Sequence, residues 1–400
     1  MSSRPETDYI YSGRELVEAP HDAFERIRKD GDIVWSRKLN CWLVVSRNLA
    51  MDILKSPDFC SFDLSEKFAK LGPRLGEDFS DILFMYRWLA VIHDDDHHTR
   101  LRSALAQALA AVRDEYVCVL QQVSHTRLTE MANRKICDFA TDYADRLHVD
   151  TLGQVLRFPA PVCDKICEHA VTKGSIDIAP SVQEMRSARD FSRQLLHIIT
   201  DFVATHAQAE WLVRMRTCLQ RNGLPDEDRD LAGFLAILFM LGRDTISGAL
   251  VTGIDELLRQ NNGEISGAVW QASHWQRDEI LRLATPTQVL KRVAKAPVLI
   301  GGQKIDAGEE VTIFLAAANR DPETFVCPHS ASFENEAHMV FGAGRHLCVG
   351  KPVTIAVFDT IMPQLFRLGR IKSLPGRILE TSKVIRSFRY FPVEISGYHP

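Results

Sequence analysis

The sequence has almost no net charge. Its 48 lysines and arginines stand against 52 aspartates and glutamates, which leaves a formal net charge of -4 over 400 residues. Because binding to a phosphate backbone requires a basic surplus or a dense basic face, this balance predicts no nucleic-acid partner. The sequence also lacks an uninterrupted apolar run of roughly 18 residues and an apolar stretch near its start. We therefore expect neither a membrane anchor nor a secretory signal.

Signals for disulfide pairing are missing as well. The cysteines number nine, which is odd, and no two of them have CxxC spacing. Without a disulfide framework, the sequence favours a reducing, cytoplasmic compartment. Cys163, Cys167 and His169 form a CxxxCxH pattern that could bind zinc, but no fourth ligand follows at a convincing spacing. Core cysteines on a helix are therefore the better interpretation.

A second candidate metal site is the run HDDDHH. It places His93 and His97 on either side of three aspartates, and both residue types can ligate a metal. Exposed clusters of His and Asp are more often simply solvated, and the three acids at 94–96 suit the start of a helix. We therefore prefer a helix N-terminus here.

Helical patterns dominate the middle of the chain. From His98 to about Gln260 the apolar periodicity is helical almost throughout, which is too much helix for a doubly wound α/β fold. The longest segment is predicted to begin at Pro225 and to end at Asn261. At 1.5 Å per residue it would span roughly 50 Å, and it is apolar around most of its girth. Such a helix must cross the centre of the molecule.

The most informative segment is FGAGRHLCVG, Phe341–Gly350, which lies between a long irregular stretch and a helix. Gly342 and Gly344 allow a tight turn and the close approach of a flat ligand. Cys348 precedes a helix N-terminus, where aligned N–H groups favour the thiolate that ligates metals. A dinucleotide-binding GxGxxG loop is excluded, because Leu347 occupies the third glycine position.

This segment resembles the haem-binding signature FGxGxHxCxG of the cytochrome P450 family at every defined position. The resemblance implies that Cys348 is the axial thiolate ligand of the iron of haem b. It also implies that Phe341 packs near the sulfur, that His346 binds a haem propionate, and that Gly342 and Gly350 shape the haem-binding loop. A buried, inert thiol is the ordinary alternative for a cysteine, and this sequence context argues against it.

Other segments support the resemblance in the expected order. Glu279 and Arg282 match the family's ExxR pair, and their i, i+3 spacing lets them form a buried ion pair on one helical face. The sequence NRDP at 319–322 also matches. Further residues implied to bind the haem propionates are His98 and Arg102, in an HTRLR segment, and Arg292.

The long helix carries LGRDT, which resembles the family's distal motif (A/G)GxDT. The resemblance implies that Asp244 and Thr245 form an acid–alcohol pair that delivers protons during oxygen activation. It also implies that Gly242 lets the helix deform or approach bound oxygen.

Two departures from the family pattern stand out. Leu241 occupies the position of a small residue, which predicts a different contour above the haem. No arginine lies between Phe325 and Phe341, where many members have one that joins the ExxR network. His329 or Asn335 could substitute for it.

The resemblance implies a mainly α fold with a smaller β region, shaped as a triangular prism, with haem between the long central helix and the Cys-led helix. A single catalytic domain would cover residues 1–400. Its helical region is expected at about 98–283 and 350–368, and its β-rich region at about 30–46, 292–315 and 380–396.

The implied reaction inserts one oxygen atom from O2 into a moderately hydrophobic small molecule. Electrons would come from a ferredoxin or flavodoxin-type donor with its reductase, docked by the basic side chains of Arg100, Arg345 and Lys351. Two alternatives stay open. The first is a peroxygenase or redox-neutral haem-thiolate enzyme, and the second is a haem-binding protein without catalytic activity.

Overall fold

The computed structural model describes residues 5–7, 13–168, 181–267, 277–332, 338–382 and 384–396. The helices in these ranges are α1 (Gly13–Glu18), α2 (Pro20–Asp30), α3 (Arg47–Lys55), α4 (Ser65–Leu75), α5 (Ser80–Tyr86), α6 (Asp96–Arg134), α7 (Asp145–Val155), α8 (Ala160–Glu168), α9 (Val182–Thr205), α10 (Glu210–Arg221), α11 (Asp228–Gln260), α12 (Arg277–Ala284), α13 (Leu315–Ala318) and α14 (Lys351–Leu365).

The strands in the same ranges are β1 (Glu6–Thr7), β2 (Ile33–Ser36), β3 (Cys41–Val44), β4 (Phe59–Ser61), β5 (Ile136–Asp138), β6 (Glu264–Ser266), β7 (Val289–Ala294), β8 (Val298–Ile300), β9 (Gln303–Ile305), β10 (Glu310–Phe314), β11 (Arg370–Ser373), β12 (Ile378–Leu379), β13 (Phe388–Tyr390) and β14 (Pro392–Ser396). The β-rich region expected at about 292–315 contains the hairpin β8–β9 and the strand β10.

The larger sheet joins the N-terminal segment to the region after α12. Its six strands have the order β1-β2-β3-β10-β7-β4, and β10 is parallel to β3 but antiparallel to β7. Every residue of β2 and β3 is buried, so both faces of these strands are covered. A second sheet, β5-β14-β11-β6, ties the end of the chain to the end of α6.

Helix α11 occupies the core, as the sequence predicts. Most of its 33 residues are buried, and helices α7, α9 and α12 pack against it. Its length and hydropathy would suffice to cross a membrane, but 78% of its most apolar window is buried inside the protein. The helix begins at Asp228 rather than at Pro225. Arg216 of α10 donates to the carbonyl of Asp226 and to Asp228 Oδ1, which fixes the preceding residues as a turn.

The segment from Cys60 to Ile92 shows no clear period in the sequence because its elements are short. Helix α4 contains Pro73 and ends at Gly76, whose φ of 65° closes the helix in the left-handed region. Phe68 of α4 packs edge-on against Phe79 and Tyr86, with ring centroids 5.2 and 5.6 Å apart. These rings are core anchors of the domain.

The ExxR pair is present as a buried ion pair on α12. Arg282 is fully buried, and its Nε and Nη2 donate to the two carboxylate oxygens of Glu279 at 2.8 and 2.9 Å. The same guanidinium also donates to four backbone carbonyls of the irregular segment that leads to the Cys348 loop: those of Asn319, Cys327, Pro328 and Ser330. One side chain therefore anchors this segment to α12.

A backbone N–H group fills part of the role of the missing arginine. The N–H of Ser332 donates to Glu279 Oε2 at 2.9 Å. The ring of His329 instead packs edge-on against His21 at 6.0 Å, so it does not substitute for the arginine. Asn335, the other candidate, lies outside the described residues.

Replacing Arg282 with Met should lower the free energy of unfolding by about 3–5 kcal/mol, because Glu279 would keep a buried charge without its cation. Urea unfolding of the purified protein measures this change. Arg214→Met is the matched control. Its ion pair with Glu210 is largely exposed and should contribute no more than about 1 kcal/mol. Equal losses in the two variants would contradict the anchoring role of Arg282.

Candidate functional site

The Cys348 loop is tightly folded. Gly342 and Gly344 have φ angles of 71° and 68°, which L side chains rarely adopt. A Cβ on Gly344 would lie 2.2 Å from the carbonyl oxygen of Leu54, so the loop packs directly against α3. The Cys348 N–H donates to the carbonyl of Phe341 at 2.9 Å and closes the loop.

The protein around Cys348 has opposing effects on the pKa of its thiol. The residue is exposed, yet burial by the surrounding protein raises the pKa of its thiol. The N–H groups of Gly350 and Lys351, at the start of α14, oppose this rise and lower the pKa, as does the charge of Arg102. A sulfur that is accessible and accepts two backbone N–H groups is suited to ligate a metal as the thiolate.

Beside this loop lies a buried hydrogen-bond donor without a partner. His98 is 2% exposed, and burial together with nearby cationic groups lowers its pKa to about 4, so it is neutral at neutral pH. Arg345 Nε donates to His98 Nδ1 at 3.3 Å, which assigns the ring proton to Nε2. His98 Nε2 has no partner among the described residues. A buried N–H group in this state is suited to donate to an anionic ligand.

His346 and Arg292 lie in the same cluster as His98. The rings of His98 and His346 are 4.5 Å apart, and His346 Nε2 lies 2.8 Å from Asp94 Oδ1 and 3.1 Å from Ser61 Oγ. Burial raises the pKa of Asp94, but hydrogen bonds from His346 and from the Ser61 N–H outweigh it and hold the pKa well below its usual range. Arg292 is 4% exposed and pairs with Ser61 in the β4–β7 register.

The HDDDHH run begins a helix rather than forming a metal site, and the CxxxCxH pattern lies partly outside the described residues. Among the described residues, no three His, Cys, Asp or Glu side chains form a group that could hold a metal ion. Asp95 caps α6 by accepting from the N–H of His98, as the helix-start interpretation predicts. His169 lies outside the described residues, so the CxxxCxH pattern is described only at Cys163 and Cys167.

The distal motif lies on a partly open face of α11. Leu241, Asp244 and Thr245 are half-buried within a helix that is otherwise mostly buried. Thr245 Oγ1 donates to the carbonyl of Leu241 at 2.6 Å. Leu241 also packs against the same hydrophobic cluster as Phe341 and Val349, which flank the thiol. The distal motif and the Cys348 loop therefore both pack against the main hydrophobic core.

Gly242 has a different contact from the one expected. A Cβ at this position would lie 2.2 Å from Nε2 of His148, a buried residue of α7. That Nε2 donates to the carbonyl of Leu238 at 2.9 Å, while Tyr116 donates its hydroxyl proton to Nδ1 at 2.8 Å. Helix α11 continues through Gly242 without interruption. The glycine here makes room for a histidine of α7.

The residues of the site fit a haem. An accessible thiol supported by backbone N–H groups is suited to ligate a metal, and His98 Nε2, which has no partner among the described residues, and the buried Arg292 are suited to bind anionic groups. This combination matches a flat, iron-containing group with two carboxylates. The protein's own side chains and backbone N–H groups account for this fit.

Comparisons with known proteins agree with this interpretation. The family model for cytochrome P450 matches residues 277–379. A putative cytochrome P450 140 of Mycobacterium tuberculosis is 26% identical to this chain, over 94% of the chain and 89% of its own length. Cytochrome P450 109 of Bacillus spizizenii is 23% identical, over 84% of this chain and 80% of its own length.

Solved structures share the fold. The structure of P450BioI in complex with an acyl carrier protein ligated with hexadec-9Z-enoic acid has a TM-score of 0.81 at 19% identity, and it covers 96% of this chain and 100% of its own. CYP109E1 of Bacillus megaterium in complex with testosterone has a TM-score of 0.77 at 16% identity, over 96% and 99%. The predicted fold class is therefore confirmed.

The chain is therefore similar to cytochrome P450 monooxygenases over most of its length, and it has their fold. Site residues that the sequence did not reveal include Asp94 and Ser61 beside His346, and Asp145 and His148 beside the distal motif. No local pattern marks them. Each lies in a different element from its partner, so only the packing of the elements brings them together.

Replacing Gly242 with Ala should lower the free energy of unfolding by about 1–3 kcal/mol, because the new methyl group overlaps His148. In the His148→Ala background the same substitution should cost much less, since the space is then open. Urea unfolding of the two single variants and the double variant measures the difference. An equal cost of Gly242→Ala in both backgrounds would show that His148 is not the reason for the glycine.

Proposed function

We propose that this protein is a single-domain P450 monooxygenase over residues 1–400 that uses haem b, with Cys348 as the axial thiolate. The observation that carries the proposal is the cluster around Cys348. There, two backbone N–H groups support the sulfur, and the buried donor of His98 has no partner in the part of the chain that the structure describes. The proposed reaction is O2 + RH + 2 electrons + 2 protons → ROH + H2O, or the corresponding epoxidation.

The proposed haem would be held by residues from four parts of the chain. His98 and Arg102 come from α6, Arg292 from β7, and His346 from the loop, and these four would bind the propionates. Phe341, Gly342 and Gly350 would shape the loop around Cys348. When bound, the haem supplies the oxygen chemistry, and the thiolate donates electron density that favours O–O cleavage.

Asp244 and Thr245, the pair in the distal motif, would transfer protons during the reaction. Thr245 Oγ1 donates to the Leu241 carbonyl, which leaves the oxygen lone pairs free to accept a proton from Asp244 as the threonine passes its own proton on. Asp244 is held by Arg243 at 2.8 Å, so its carboxylate begins in a defined position. Leu241 would narrow the space above the haem and limit the substrates that reach it.

The substrate class is proposed from the apolar surroundings. Leu241 and its neighbours belong to a large hydrophobic cluster, which favours a moderately hydrophobic small molecule. The ligands in the two similar structures, a fatty-acyl group and a steroid, are of this kind.

Electrons would come from a separate ferredoxin or flavodoxin-type protein with its reductase, in the cytoplasm. Three exposed basic residues would dock this acidic donor. Arg345 and Lys351 flank Cys348, and Arg100 lies in the first turns of α6. Arg345 Nη2 donates to the carbonyl of Asp95 at 3.1 Å, so part of this surface is fixed in position.

Replacing Cys348 with Ser should abolish the red-shifted Soret band that thiolate-ligated haem shows in its ferrous carbonyl complex, because the axial ligand loses its sulfur. Cys118→Ser is the matched control, since Cys118 is also exposed but lies on α6 away from the loop. Absorption spectra of both variants after haem loading provide the measurement. An unchanged band in Cys348→Ser would refute the ligand assignment.

Replacing Asp244 with Asn or Thr245 with Val should raise the share of consumed O2 that is released as H2O2, because protons reach the reduced oxygen more slowly. The assay uses NADPH, ferredoxin and its reductase. Thr245→Ser keeps the hydroxyl and should stay close to the original protein. If all three variants release the same share of H2O2 as the original protein, the pair does not deliver protons, and a peroxide-driven or redox-neutral enzyme becomes the better proposal.

A further inference from the structure

Helix α7 contacts the distal motif through a buried charged cluster. Arg243 is 5% exposed and donates from Nη1 to Asp244 Oδ1 at 2.8 Å and from Nη2 to Asp145 Oδ2 at 3.0 Å. The same Nη2 lies 3.3 Å from the carbonyl of Cys167. Ser247 Oγ donates to the other oxygen of Asp145 at 2.5 Å. Asp145 is therefore fixed by two residues of α11.

The geometry of α11 places the neighbouring residues of this cluster on different sides of the helix. Successive residues of an α-helix are about 100° apart around its axis, so Asp244 lies between Arg243, which faces α7, and Thr245. A carboxylate that bonds Arg243 is drawn towards α7 and away from the Thr245 hydroxyl. The partner that holds Asp244 thus decides which side of the helix its carboxylate occupies.

Two carboxylates share one guanidinium in this cluster. Burial alone would lower the pKa of Arg243, but the charges of Asp145 and Asp244 outweigh it and raise the pKa above its usual value. The cation therefore persists, and the acids compete for it. A stronger bond to Asp145 weakens the hold of Arg243 on Asp244.

We propose that Asp145 is a positioning residue for proton delivery, which competes with Asp244 for Arg243 and so leaves Asp244 able to turn towards Thr245. In the cycle, the Asp244 carboxylate takes a proton from water, turns, and gives it to Thr245 Oγ1. Thr245 gives its own hydroxyl proton to the reduced oxygen while it accepts the proton from Asp244, so the neutral hydroxyl and the Asp244 carboxylate are both restored. The inference rests on the proposed role of Asp244 and Thr245.

The first test compares Asp145→Asn with Asp150→Asn. Both acids are on α7 and pair with arginines, but the partners of Asp150 are Arg127 and Arg146, which are not on α11. With NADPH, ferredoxin and its reductase, and no added organic substrate, Asp145→Asn should raise the share of O2 released as H2O2 several-fold. It should also enlarge the solvent deuterium isotope effect on O2 consumption. Asp150→Asn should leave both quantities unchanged.

A rescue variant separates positioning from simple structural support. The double variant Asp145→Asn with Arg243→Met removes the guanidinium that bonds both acids. It replaces this buried cation with an apolar side chain of similar length. If Asp145 acts by weakening the hold on Asp244, the double variant should release less H2O2 than Asp145→Asn alone. An equal or larger release in the double variant would overturn the proposal.

A double-mutant cycle measured by unfolding tests whether Asp145 and Asp244 compete for Arg243, and it needs no enzymatic turnover. Asp244→Asn should lower the folding equilibrium constant about threefold more in the Asp145→Asn background than in the original protein, because Arg243 then depends on Asp244 alone. Urea unfolding of the haem-loaded protein measures this. Additive effects would show that the two acids do not compete for Arg243.

Failure of the inference can be distinguished from failure of the proposed function. If Asp244→Asn raises H2O2 release and Asp145→Asn does not, Asp145 has no positioning role, while the acid–alcohol pair stands. If Asp244→Asn has no effect either, the proposed role of the pair fails, and the role of Asp145 fails with it.

Discussion

The structure depends on the burial of α11. A helix that is apolar around most of its girth is stable in water only when other elements cover it on nearly every side. Helices α7, α9 and α12 provide that cover. The few polar groups along it must then find partners inside the protein, because an unpaired buried polar group costs free energy. The bonds from both Nη atoms of Arg243 to Asp244 and Asp145, and the bond from His148 to the Leu238 carbonyl, meet most of this requirement, although Arg243 Nε has no partner among the described residues.

The same rule applies on the side of the thiol loop. Arg282 is buried without any exposure and is saturated by one carboxylate and four carbonyls, so it fixes the irregular chain that leads to Cys348. His98 differs from Arg282, since its Nε2 is one of several buried polar atoms without a partner among the described residues. Its place beside the Cys348 loop suits it to donate to an anionic ligand there. The proposed haem propionate would complete the hydrogen bonding of the site.

The two departures from the family pattern have different structural consequences. The missing arginine is partly replaced by the N–H of Ser332, which bonds Glu279 and keeps the network closed. Leu241 leaves the helix unbroken, and the adjacent Gly242 makes room for His148. Helix α7 therefore approaches the distal motif at two points, through His148 and through Asp145. Control of Asp244 from α7 would follow from this close packing.

The sequence by itself determined the elements and the chemistry that depend on local spacing. The long central helix apart from its first residue, the hairpin β8–β9, the ion pair of Glu279 with Arg282 and the thiol ahead of a helix N-terminus all follow from residues close together in the chain. Only the tertiary structure decided what each polar group bonds. Asp94 meets His346, and Asp145 meets Arg243, across 252 and 98 residues of sequence. No local pattern encodes such pairs, because they arise when separately folded elements pack and their buried charges must be neutralised.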